Sequence, residues 1–160
     1  MPAATDWIEA LRAAVWATLD ANTLLDPANR DGVMAGGTKV KFEPGLRVVL
    51  VAERSQCPIL AMLPLGDVDQ PMGQRGERSG RSATLHFELY GAGPTTNPVT
   101  RLYAEVIETL RNAAPSFGLA DTLTKLAIAN ATLDPTGSIK DANTMFVLTF
   151  DLVCTFRVCG

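Results

Sequence analysis

The sequence predicts an α+β protein: one domain spanning residues 1–160, with a mostly antiparallel sheet and two amphipathic helices packed on one of its faces. Three observations carry this prediction. Segment 145–158 places Phe146, Leu148, Phe150, Leu152, Cys154, Phe156 and Val158 on one face without a miss. Segment 82–90 does the same with Ala83, Leu85, Phe87 and Leu89, and sets Thr84, His86, Glu88 and Tyr90 on the other face. A period of two with one polar face marks antiparallel strands covered on one side only. Segments 7–21 and 97–112 repeat apolar residues at helical spacing, and strands and helices do not alternate strictly as βαβ units would.

Composition agrees with a globular chain. Of 160 residues, 47% are hydrophobic and 19% charged, enough apolar content for a core without staples. A net charge of −3 lacks the basic footprint of a general nucleic-acid binder. Cys57, Cys154 and Cys159 are odd in number and lack metal-ligand spacing, which fits synthesis in a reducing cytosol. Cys154 falls on the apolar face and reads as a small buried hydrophobe. No basic-then-apolar leader is visible at the start, and no apolar run approaches the roughly 20 residues a membrane span needs.

The first helix is expected over about 7–21. Asp6 and Glu9 have capping-box spacing, and Trp7, Ile8, Leu11, Val15 and Leu19 mark one stripe, with Arg12 and Asp20 off it. Residues 22–37 are rich in Asp, Asn and Gly and read as loop. A short strand is expected at 38–42, a turn at Pro44 and Gly45, a valine-rich strand at 47–53 and a second apolar run at 57–63 broken by Pro58. A long flexible loop or hairpin tip is expected at about 64–81.

Strand 82–90 follows. Asn97 reads as the N-cap of the second helix, with Pro98 at its first position. Val99, Leu102, Tyr103, Val106, Ile107 and Leu110 form its apolar face, while Arg101 and Glu105 have the spacing of an exposed ion pair. In 119–133, Leu119, Leu123 and Leu126 fit a helix, and the run from Leu126 to Leu133 fits a strand. The strand is favoured for the second half, with a turn at 134–137 before the final strand. At about 3.3 Å per residue that strand spans about 45 Å, so it bends or reaches beyond a compact domain.

The chemistry-bearing patterns are thin. Gly91–Thr96 lies between strand and helix, as a dinucleotide loop would, but Thr96 replaces its third glycine and Pro94 removes a donor. Residues 32–39 approach a phosphate-binding loop with Thr38 and Lys39 in inverted order. Asp20, Asn22 and Asp26 lack the ligands of a calcium loop, because Leu24 and Leu25 intervene. His86, the single histidine, sits beside Glu88 on a polar strand face with no nucleophile placed next to it; zinc held by His86 and the cysteines lacks short ligand pairs. No catalytic, cofactor or metal residue is therefore assigned. Arg75, Arg78 and Arg81 are the one local basic cluster, and arginine's planar donor fork suits a contact loop.

The order of elements resembles the tail-terminator (tail-completion) proteins of long-tailed bacteriophages. The matching parts are the helix 7–21, the strands of 47–63, the loop 64–81, the strand 82–90, the helix 97–112 and the closing strand 145–158. The resemblance implies a virion structural protein and no enzyme. It implies a ring, typically a hexamer, at the head-proximal end of the tail tube, which ends tube growth and presents the head-joining surface. The implied partners are further copies of the chain, a tail tube protein and a head–tail connector protein, with DNA passing through the lumen without sequence recognition and no membrane. The implied location is the virion tail, after synthesis in the host cytoplasm. Arg75, Arg78 and Arg81 would contact the tube or face the lumen. The alternatives are a small nucleotide-binding or enzymatic domain using the 91–96 turn or His86, and an adaptor binding one protein partner.

Overall fold

Alternation builds the centre of the molecule. In the computed structural model, which describes residues 4–41, 57–63, 70–72, 80–113, 122–136 and 145–157, the two clean alternating segments pair with each other. Strand β4 is Gly80–Ala92 and strand β6 is Met145–Arg157; they run antiparallel in unbroken register over their full length. Around them lie β1 (Thr38–Lys41), β2 (Ile59–Leu63), β3 (Gln70–Met72) and β5 (Thr122–Thr136). The strand order is β1-β2-β4-β6-β5, with β3 paired to the start of β4. Every pairing is antiparallel except β1 with β2.

Helices α1 (Ala4–Asp20) and α2 (Asn97–Arg111) cover one sheet face. Leu11, Val15 and Leu19 of α1 and Val99, Leu102, Val106 and Leu110 of α2 are buried against Ala83, Leu85, Phe87 and Leu89 of β4 and Phe146 to Cys154 of β6. Phe87 and Phe150, opposite each other in register, stack with centroids 5.0 Å apart, and Tyr103 of α2 meets the Phe150 ring edge-on at 5.4 Å. The predicted class, α+β with two helices on one face of a mostly antiparallel sheet, is the observed one.

Several local expectations change. Helix α1 begins at Ala4, so Asp6 and Glu9 lie inside it and do not form a capping box at its start. Arg12 lies off the apolar stripe yet is 6% exposed; its Nη1 donates to Glu9 Oε1 one turn back. The 22–37 stretch is anchored rather than a plain loop. Its 3-10 turn Thr23–Leu25 buries Leu25, and Met34 is buried as well. Asn22 Oδ1 accepts from the Leu24 backbone N–H at 2.9 Å, while its Nδ2 donates to Glu105 Oε1 and Thr109 Oγ1 of α2 at 2.7 and 2.8 Å. Glu105 is thus engaged by Asn22, in place of the expected contact with Arg101. Lys39 of β1 reaches back to Asp20 Oδ1 at 2.5 Å and lies over the Trp16 ring.

The cap of α2 is Thr96, one residue before the expected Asn97; the Thr96 backbone is already helical and its carbonyl accepts from the Thr100 N–H at 3.0 Å. The strand expected at 47–53 and residues 64–69 lie outside the described residues. Within the expected loop 64–81, Gln70–Met72 form β3 and pair antiparallel with Ser82, Arg81 and Gly80 of β4, and residues 73–79 lie outside the described residues.

β5 is a strand throughout, including the stretch where a helical face competed. The expected turn at 134–137 is overturned, since Asp134, Pro135 and Thr136 still pair with Val147, Phe146 and Met145. Two register shifts, between Leu123 and Lys125 and between Ala129 and Thr132, explain the mixed pattern. Each inserts residues that reset the two-residue period.

Candidate functional site

The helices leave the other face of β4, β6 and β5 to side chains that, among the described ones and with Tyr90 as the exception, are half-buried or exposed. Alternation places Thr84, His86, Glu88 and Tyr90 of β4 there, with Thr149 and Asp151 of β6 among Met145, Val147 and Val153, and register decides which of them meet. His86 stands opposite Asp151 in the β4–β6 ladder, and Asp151 stands opposite Ala129 in the β6–β5 ladder. His86 Nδ1 lies 2.6 Å from Asp151 Oδ1. Asn130 Nδ2 donates to the other oxygen, Asp151 Oδ2, at 2.8 Å. Asn130 follows Ala129 at the β5 register shift and has φ 55°, a left-handed conformation that Asn tolerates better than most residues. The backbone irregularity thus turns its amide onto the carboxylate.

The network continues along β4. His86 Nε2 faces Glu88 Oε1 at 3.8 Å, and Tyr90 OH donates to Glu88 Oε2 at 2.5 Å. Burial pushes the Asp151 carboxyl up, but the hydrogen bonds from Asn130 and His86 and the attraction of His86 outweigh it, and the group lies below its ordinary value. Tyr90 is pushed well above the ordinary tyrosine range by burial and by its bond to Glu88. One turn of sheet thus holds Tyr90, Glu88, His86, Asp151 and Asn130 in a chain of contacts across three strands. Next to it, Thr132 and Thr149 share a hydrogen bond at 2.7 Å.

Of the sequence-derived contact candidates, Arg81 lies in β4, paired with Pro71 of β3 and Phe156 of β6. Arg75 and Arg78, between β3 and β4, lie outside the described residues. Thr95 of the 91–96 turn and Gly32, Val33 and Ala35 of the 32–39 segment, two stretches weighed separately in the sequence, border one open cleft of about 290 Å³ with Pro58 and Arg101. Gly91, near the end of β4, answers a packing demand: a Cβ on it would sit 2.7 Å from the Val99 backbone nitrogen. Gly93, at φ 145°, relaxes the turn. Gly37 packs likewise, since a Cβ would meet the Pro58 carbonyl oxygen at 2.1 Å.

Sequence reasoning singled out His86 and Glu88 but missed Asp151, Asn130 and Tyr90 as their partners. The available signal was Asp151, a lone acid on the polar face of a strand whose other face is unbroken. The buried Cys154 thiol is pushed up to about 12 by burial, as a core hydrophobe would be. Among the described residues, no helix is long and apolar enough to cross a membrane.

No family model matches this chain, and no curated protein does. Its fold is similar to that of a chain in a solved structure described as "Virion of native gene transfer agent (GTA) particle". The superposition has a TM-score of 0.60 at 14% identity and covers 92% of this chain and 95% of that one. Similarity at this identity is similarity of fold, and it extends over nearly the whole of both chains.

Proposed function

We propose that this chain is a virion structural protein of a phage-type particle. In that reading it forms a ring, six-fold in the simplest case, at the head-proximal end of the tail tube. The ring ends tube growth and presents the surface to which the head joins. The observation that carries the proposal is the near-complete, two-way fold coverage with a virion chain. The order of helix, hairpin, long strand, helix and closing strand pair supports the tail-terminator form of it. A head-to-tail closed ring suits a subunit that must match the rotational symmetry of a tube.

In this reading the partners are further copies of the chain, the tube protein and the head–tail connector, with DNA passing through the lumen without sequence recognition. Arg75 and Arg78, which lie between β3 and β4 in the sequence, and Arg81 of β4 are the proposed contact residues. No reaction is assigned. Of the two glycines that kept a nucleotide-binding reading open, Gly91 is explained by its packing on Val99 and Gly93 by its φ of 145°.

Deletion of the chain from its particle tests the proposal. The expected result is tails of uncontrolled length that fail to join heads. The triple variant R75A/R78A/R81A should fold normally and impair joining. Normal tails and normal joining in the deletion would overturn the function, and normal joining in the triple variant alone would remove only the hairpin.

A further inference from the structure

The two edges of the sheet carry complementary features at one level along the strands. Register runs as a single rung from Thr38 of β1 through Ile59, Tyr90 and Val147 to Asp134 of β5. β1 and β5 are the edge strands. The open cleft lies at the β1 end of that rung: Pro58 directly precedes Ile59, and its carbonyl accepts from the Thr38 N–H at 2.9 Å. Val33, Ala35 and Pro58 line the cleft from one side, and Pro98 and Arg101 of α2 line it from the other. Arg101 is exposed. Glu105, the acid spaced to pair with it, accepts from Asn22 instead, and among the described residues no carboxylate is paired with Arg101.

At the β5 end of the rung, Asp134 is exposed, and among the described residues no cation is paired with it. Leu133 beside it stands opposite the buried Leu148, yet it is one of the two large apolar side chains left exposed among the described residues. Pro135 follows and has no N–H to offer, and the register shift between Ala129 and Thr132 breaks the edge. This end of β5 is therefore poorly built to add a further strand. What it presents to a partner is side chains, an apolar one and an acid on opposite sides of the strand.

We propose that the end of β5 of one copy docks in the cleft of the next copy, Leu133 against Val33, Ala35 and Pro58, and Asp134 against Arg101. The inference rests on the ring reading given above and names its contact. The occupant is a second copy because the chain itself supplies both halves, an apolar cleft with an unpaired cation and an exposed apolar residue beside an unpaired acid. The two halves sit on opposite edges of the sheet at the same level. Rotation about an axis along the strands brings such halves together head to tail, and closing the ring leaves none of them open.

Charge reversal tests the contact. The unaltered full chain, R101E, D134R and an equal mixture of the two variants are compared by native mass spectrometry and negative-stain images, in solution and on the ends of isolated tail tubes. Both positions are exposed, so each variant should melt as the unaltered chain does. Either variant alone sets like charges against each other at every contact and should raise the concentration needed for rings about 10-fold or more. The mixture should restore rings, because alternating copies again bring opposite charges together at every contact. Rings unaffected in either variant, or lost in both and not recovered on mixing, would overturn this contact and leave the ring reading standing. Absence of rings from the unaltered chain, both in solution and on tubes, would overturn the two together.

Discussion

Asp151 stands directly opposite His86 across β6 and β4 and binds it at 2.6 Å, while its second oxygen accepts from Asn130 on β5. One carboxylate therefore ties three neighbouring strands together on the face the helices leave open. Its two partners come from sequence positions far apart, and the β5 register shift is what brings Asn130 within reach.

The conformation of Asn130 makes this tie sensitive to substitution. Asn130→Gly keeps a residue at ease with φ 55° and loses only the amide bond, so the expected loss is about 0.5–1.5 kcal/mol. Asn130→Val also forces a β-branched residue into the left-handed region, which adds about 1–2 kcal/mol. Urea unfolding midpoints of the two variants check the order: the unaltered chain first, glycine second, valine last. Equal midpoints for glycine and valine would show that the left-handed conformation carries no strain.

The pH dependence follows from the same carboxylate. Its folded value lies below the unfolded one, so the unfolded chain takes up the proton first as pH falls. The contribution is complete above the unfolded carboxylate range. It is lost as pH drops from there through the lowered folded value. Asp151→Asn should therefore be less stable than the unaltered chain near neutrality and should show a flatter fall of stability in acid. Melting temperatures of both proteins across the acid range measure this, and parallel curves would contradict it.

Gly91 separates packing from ligand binding at the 91–96 turn. Gly91→Ala places a methyl against the Val99 backbone nitrogen and should destabilise the chain by about 1–3 kcal/mol. Nucleotides at millimolar concentration should leave the melting temperature of the unaltered chain unchanged, because only a ligand selective for the folded state raises it. A nucleotide-dependent rise that Gly91→Ala removes would restore the nucleotide-binding reading.

How much of this was legible in the sequence depends on whether one period runs unbroken. β4, β6 and α2 each keep a single period, and their inward residues Leu85, Phe87, Phe150, Leu152, Val99 and Leu102 are all buried. β5 does not keep one. Its two register shifts leave Leu126 and Ile128 against the core, then reset the pattern so that Leu133 is 40% exposed, and no single template fits. Leu25 and Met34 were hidden among Asp, Asn and Gly residues, because one apolar side chain per turn makes no period. For the polar face, alternation identified His86 and Glu88 as outward residues. The pairing of His86 with Asp151 depends on β4–β6 register, and that of Asn130 on a left-handed residue; neither is written in local composition.

The central claim, a ring-forming virion protein, is tested most directly by native mass spectrometry of the purified chain with negative-stain images of the same sample. The account predicts a closed ring of six copies, or a uniform stack of such rings. A strict monomer at every concentration that also fails to add to the ends of isolated tail tubes would contradict it.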